Sequence, residues 1–95
     1  MSSQTIPVAV FRLGRIVTTP NALQSLTQDD ILVGIQRHQA GDWGNLGDDD
    51  RVANDQSLAQ GGRIVSAYNA MNGTRFWLIT EADRSRTTIL LPEDY

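Results

Sequence analysis

"RIVSAYNAMNGTRFWLIT", residues 63–80, decides the fold. Two runs rich in β-branched and aromatic residues flank Asn72-Gly73, and Asn-Gly in that setting is the strongest short-range hairpin signal. With Asn72 and Gly73 as a two-residue turn, Met71 faces Thr74, Tyr68 faces Trp77, Ala67 faces Leu78 and Ile64 faces Glu81. That register gathers Ser66, Tyr68, Trp77 and Ile79 on one face, and Val65, Ala67, Phe76 and Leu78 on the other. Both faces are largely apolar, which makes the hairpin central to the fold. A Tyr68–Trp77 cross-strand pair would add up to roughly 1 kcal/mol.

Outward from the hairpin, "EADRSR" (81–86) reads as the next turn and "TTILLP" (87–92) as the next strand. Upstream, "VAVFRLGRIVTT" (8–19) predicts one strand bent at Gly14, or two short ones. Between these lie helical signals. Thr19 and Pro20 start a short helix through "TPNALQSL". Thr27 can cap a second, "TQDDILVGIQRHQAG", in which Asp29 and Asp30 suit the positive end of the dipole. Ile31, Leu32 and Ile35 form its apolar stripe, His38 and Gln39 continue that face, and Gly41 stops it. "DDDRVANDQSLAQGG" reads as a third helix with a weak stripe of Val52, Ala53, Leu58 and Ala59. The expectation is one α+β domain, residues 1–95, with residues 1–6 a loose terminus. It has a small antiparallel sheet of three to four strands, with two to three helices inserted between the first strand and the C-terminal hairpin.

Composition narrows the function. There are no cysteines, so thiol nucleophiles, disulfides and zinc–thiolate sites are excluded. All eight basic residues are arginine, which excludes lysine Schiff-base and P-loop lysine chemistry. The N-terminus lacks a basic region followed by an apolar run, and no stretch could span a bilayer. A cytoplasmic protein without membrane association is expected. Formal net charge is −3. Residues 28–55 set seven aspartates against Arg37 and Arg51, a local charge of −5. Such a balance repels phosphate backbones and argues against nucleic acid as a partner.

"TPNAL", "RHQAGDWG", "AND…L…GGRIVSAY" and "ITEADRS…TTILLPEDY" together resemble a family of small uncharacterised bacterial proteins encoded on plasmids and integrative elements. The resemblance spans residues 16–95 and implies a mobile-element setting without an activity. Some members of that family are linked by name to type I restriction-modification. This chain is too short for a methyltransferase. It has neither a glycine-rich cofactor loop after a strand nor an Asn-Pro-Pro-aromatic motif.

Four constellations could carry function. His38, the only histidine, precedes Asp42 by one turn, and such a pair could ligate a metal or move a proton. Without cysteine or a second histidine the metal signature is weak, so neither metal nor cofactor is expected. The plainer role for His38 is at a helix C-terminus, bonding Asp42 or a free carbonyl. Trp43, between Gly41 and Gly44, is either an interface anchor or a plug over the core, and the plug is favoured. Asp48, Asp49 and Asp50 could meet a cation or a basic partner, but helix N-capping explains them without further assumption. Glu81, Asp83, Arg84, Ser85 and Arg86 resemble hydrolase furniture, yet fit a charged hairpin turn better.

The reading the sequence favours is a non-enzymatic mobile-element accessory protein. It would bind a protein partner through an acidic and aromatic surface of His38, Asp42, Trp43, Asp48, Asp49 and Asp50, with Arg84. Antagonism of a host defence or nucleic-acid-handling complex would be one use. One alternative is a small metal-dependent hydrolase or nuclease using His38, Asp42, Glu81 and Asp83. Another is nucleic-acid binding through Arg63, Arg75, Arg84 and Arg86. A strand edge after "TTILLP" would admit a homodimer.

Overall fold

A computed structural model describes residues 9–95; the expected loose terminus, residues 1–6, lies outside them. The fold is α+β, with three helices between the first strand and the rest. The strands are β1 (Arg15–Thr18), β2 (Ile64–Asn69), β3 (Arg75–Thr80) and β4 (Arg86–Leu90). The helices are α1 (Pro20–Ser25), α2 (Gln28–Gln39) and α3 (Asp48–Gln60). Sheet order is β1-β4-β3-β2. β2, β3 and β4 pair antiparallel, but β1 pairs parallel with β4. The sheet is therefore mixed, not wholly antiparallel. β1 and β2 consequently run the same way at opposite edges, and that geometry needs a long crossover, which the helices provide. β4, expected to offer a free edge, is interior.

The hairpin exists, but its register differs by one residue from the two-residue turn. Ala67 pairs with Trp77 and Tyr68 with Phe76. The Gly73 amide donates to the Ala70 carbonyl, and Gly73 has φ 86°. Asn72 does not adopt a positive φ, which a two-residue Asn-Gly turn would require. The loop is instead a type I turn closed by a left-handed glycine, with three residues between Ala70 and Thr74, whose backbones still bond. Tertiary bonds hold it: the Met71 amide donates to the Asp30 carboxylate (3.1 Å), and the Asn72 carboxamide donates to the Ser25 carbonyl (3.1 Å). A one-residue slip flips one strand's side chains to the other face. Ile64, Ser66, Tyr68, Phe76, Leu78 and Thr80 thus share one face, joined by Thr87 and Ile89.

This face carries the core. Ala22 of α1, Leu26 at its C-cap, and Ile31 and Ile35 of α2 pack on Tyr68, Phe76, Leu78 and Ile89. Gly34 lets α2 approach, since a Cβ there would lie 2.9 Å from the Phe76 ring. Leu32, expected in the stripe, is exposed; Asp30, Gly34 and His38 are the buried positions of α2. Thr27 and Asp30 form a capping box at the start of α2. At its other end the Gly41 and Asp42 amides donate to the His38 and Arg37 carbonyls, a Schellman closure with Gly41 left-handed.

β2 is an edge strand, and its outward backbone is occupied. Ala67 donates to the Trp43 carbonyl and accepts from the Asn45 amide. Val65 is matched on both groups by the Asn54 carboxamide, at 3.1 and 2.7 Å. α3 thus docks through a polar side chain. Asn54 is its buried residue, whereas Val52, Ala53 and Ala59 of the expected stripe are exposed and Leu58 is half-buried.

Candidate functional site

His38 is fully buried, far from the surface role expected of it. Its Nδ1 lies 2.5 Å from Ser66 Oγ and its Nε2 2.8 Å from Thr80 Oγ1. Thr80 Oγ1 lies 2.6 Å from Thr87 Oγ1, which donates to the Leu13 carbonyl at 2.7 Å. That terminal carbonyl can only accept, so it sets the direction of the chain. Thr87 donates to Leu13, Thr80 donates to Thr87, Nε2–H donates to Thr80, and Nδ1 accepts from Ser66. The imidazole is held neutral, with a pKa pushed down to about 3 by burial and by the nearby positive Arg84. Phe11 and Trp43 close the pocket edge-on, with ring centroids 5.0 and 6.0 Å away.

The expected partners of His38 lie elsewhere. The Asp42 carboxylate forms the one ion pair among the described residues, with Arg37 at 2.7 Å, and also accepts from the Gly44 amide. Arg37 holds its pKa below the usual carboxylate range. Asp83 accepts from the Ser85 amide inside its own turn. Glu81 closes the β3–β4 turn through its backbone. His38 bonds none of these carboxylates, and no group of three or more metal-ligating side chains gathers among the described residues.

Trp43 is 4 % exposed, and its indole N–H reaches Asp55 at 3.3 Å. It plugs the core and cannot anchor a partner. The short loop around it also carries Gly44, and Tyr68 Oη donates to the Asp42 carbonyl at 2.5 Å. Asp48, Asp49 and Asp50 form the exposed first turn of α3, whose N-cap is Gly47; they complement the dipole without capping.

Arg84 is spent on structure. Its guanidinium donates to the carbonyls of Gly62 (2.6 Å), Glu81, Ala82 and Ser57, closing the C-terminal end of α3 onto the β3–β4 turn. These bonds hold Arg84 at φ 60°, an unusual conformation for a side-chain-bearing residue. Arg84→Ala is expected to cost roughly 2–3 kcal/mol, because four carbonyls lose a charged donor. A lowered urea midpoint would show it, and Arg86→Ala, at an exposed position, should leave that midpoint nearly unchanged.

The sheet face opposite α1 and α2 holds what the sequence could not assemble. Register places Arg15 beside Arg86, Val17 beside Thr88 and Ile79, Trp77 beside Ala67 and Leu90, and Arg75 beside Asn69. Arg63 joins this face, because its guanidinium donates to Tyr95 Oη (2.8 Å) while the Tyr95 ring meets Trp77 edge-on at 5.7 Å. Two exposed arginines, Arg63 and Arg75, therefore flank a half-buried tryptophan and a tyrosine that is 70 % exposed. Arg15 and Arg86 sit side by side on the same face, four residues along β4 from Leu90, the partner of Trp77. Glu81, the residue after β3, continues the same alternation and bonds the Arg86 backbone through its amide. Arg15 and Arg86 make no side-chain hydrogen bond among the described residues, and Arg75 makes one, to the Asn45 carbonyl at 3.0 Å. α3 borders the face along β2. Between them opens a recess of about 450 Å3, lined by Asn45, Asp50, Asn54, Arg63, Arg75 and Trp77 among others.

Arg63, Arg75 and Arg86 were candidates from the sequence; Arg15 was missed. The signal for Arg15 was its place in a β-rich run, but only the parallel β1–β4 pairing brings it to Arg86. Comparisons with protein-family models, curated proteins and solved structures find no match to this chain.

Proposed function

We propose that this chain is a non-catalytic binding module whose sheet face opposite α1 and α2 takes single-stranded nucleic acid along its exposed arginines. The observation that carries this reading is that Arg15, Arg63, Arg75 and Arg86 share one sheet face with Trp77 and Tyr95, Arg63 and Arg75 beside the aromatic pair and Arg15 with Arg86 further along the strands. Net charge of −3 is an average. Asp29 and Asp30 of α2 line a different recess from Arg63 and Arg75, which share theirs with Asp50 alone among the carboxylates, so a strand lying across the arginines need not meet most of the aspartates. Exposed aromatic rings favour unpaired bases, which can stack, over a duplex that hides them. The buried, neutral His38 makes acid–base catalysis through the only imidazole a poor competing reading. The resemblance to plasmid-encoded proteins fits a role near DNA.

The test is a fluorescence-anisotropy titration of a labelled deoxyribo-oligonucleotide at increasing salt. Affinity should fall with a slope of about −0.7 per phosphate contacted. The double variant Arg75→Ala/Arg86→Ala should weaken binding about tenfold and flatten that slope, and Trp77→Ala should cost roughly 1–3 kcal/mol. Equal affinity in wild type and variants would sink the reading.

A second reading keeps a protein partner. The exposed Asp48, Asp49 and Asp50 support it, since they could meet a basic surface such as one built for nucleic acid, in a host defence complex for example. Neither His38 nor Trp43 can contribute there, so the aromatic half of that surface is missing.

A further inference from the structure

We infer that the recess between the first turn of α3 and the sheet is a base-binding subsite selective for guanine; this rests on the nucleic-acid reading above. Its lining combines three chemistries. Trp77 supplies an aromatic wall, Arg63 and Arg75 supply cationic donors, and Asp50 supplies a carboxylate. These opposite charges do not neutralise one another: the only ion pair among the described residues is Arg37–Asp42. Asn54, also on the lining, has its carboxamide committed on both sides to the Val65 backbone and is a fixed wall.

A ligand that satisfies such a site must carry an anionic group, a flat π-face and an edge of hydrogen-bond donors. Nucleotides have the first two. Among the common bases, guanine alone presents two adjacent donors, N1–H and the N2 amino group, on its Watson–Crick edge. A carboxylate accepts both at once, as it accepts the paired donors of arginine. Adenine and cytosine each offer one amino donor beside an acceptor that would face the carboxylate and be repelled. The recess has the size of a small-ligand pocket, ample for a base with its sugar and phosphate.

The experiment titrates the whole protein with GMP, IMP, AMP and CMP, followed by saturation-transfer NMR and by quenching of tryptophan fluorescence. IMP matters because it lacks only the N2 amino group. GMP is expected to bind about tenfold or more tighter than AMP and CMP, with IMP between, in keeping with a bidentate contact. Asp50→Asn should remove the preference for GMP by weakening GMP binding without weakening AMP binding, and Asp49→Asn should leave both unchanged. Equal binding of all four nucleotides, or an equal loss of all four in Asp50→Asn, overturns the subsite. If oligonucleotides bind through the sheet arginines without base preference, the subsite fails and the broader reading stands. If neither nucleotides nor oligonucleotides bind, both fail together.

Discussion

His38→Ala is expected to leave the domain largely unfolded or lower its stability by roughly 3–5 kcal/mol, against a typical total of about 5–15 kcal/mol. The change removes a fully buried ring from beneath Phe11 and Trp43. It also leaves Ser66 and Thr80 without their shared partner in the core, and an orphaned buried hydroxyl carries its own desolvation cost. Acid should act on the same residue. The folded imidazole has a pKa of about 3, far below its ordinary 6.5, so the unfolded chain takes up a proton that the folded chain refuses. The stability that depends on neutral His38 is fully present above pH 6.5 and is lost as pH falls toward 3. Each pH unit in that window costs about 1.4 kcal/mol. Asp30, Asp42 and Asp94, all depressed by hydrogen bonds, lose their contributions at lower pH and in the same direction. Urea midpoints measured between pH 7 and 4.5 should fall steadily. A flat profile across that range would show that His38 is not held neutral.

Gly44→Ala is the second large effect, expected at more than about 3 kcal/mol. Gly44 has φ 74°, where an L side chain is strained. A Cβ there would also lie 2.1 Å from the Ala67 carbonyl oxygen and 2.6 Å from the Tyr68 ring. The obstacle is backbone in a sheet edge, so it cannot turn aside. Gly44 bridges Ala67, and the neighbouring Trp43 and Asn45 complete the edge of β2. Loss of this approach would free the Trp43 plug as well. Gly47→Ala makes the control: φ is −70° and nothing lies within 4 Å of the new Cβ. It should cost roughly 1 kcal/mol or less, the difference between glycine and alanine as an N-cap. Circular dichroism melts of the two variants would separate them, and similar midpoints would contradict this account of the loop.

Local signals in the sequence carried most of the elements. Thr19, Thr27 and Pro20 marked two helix starts, Gly41 and Gly61 two helix ends, and Asn72-Gly73 the hairpin. Register was not local. Asn-Gly fits both a two-residue turn and the last two positions of a type I turn, and contacts from Asp30 and Ser25 stabilise the second. One clue was present: only the longer loop collects Arg63, Asn69 and Arg75 on one face and leaves Ile64, Tyr68, Phe76 and Leu78 on the other. That same slip decides where the arginines point, so the site was illegible for the reason the register was. The parallel pairing of β1 with β4 left no mark within either strand. His38 was placed on the buried stripe of α2, but Asp42 was the nearer partner in sequence. Its true partners, Ser66 and Thr80, lie 28 and 42 positions away.

The central claim is a place on the molecule, and amide chemical-shift mapping with a short single-stranded oligonucleotide tests it most directly. The account predicts shifts at Arg15, Arg63, Arg75, Arg86 and their strand neighbours. The Trp77 indole should move with them, and the buried Trp43 indole should stay still. Shifts confined to α2 and to Asp48–Asp50, with the sheet face silent, would contradict it.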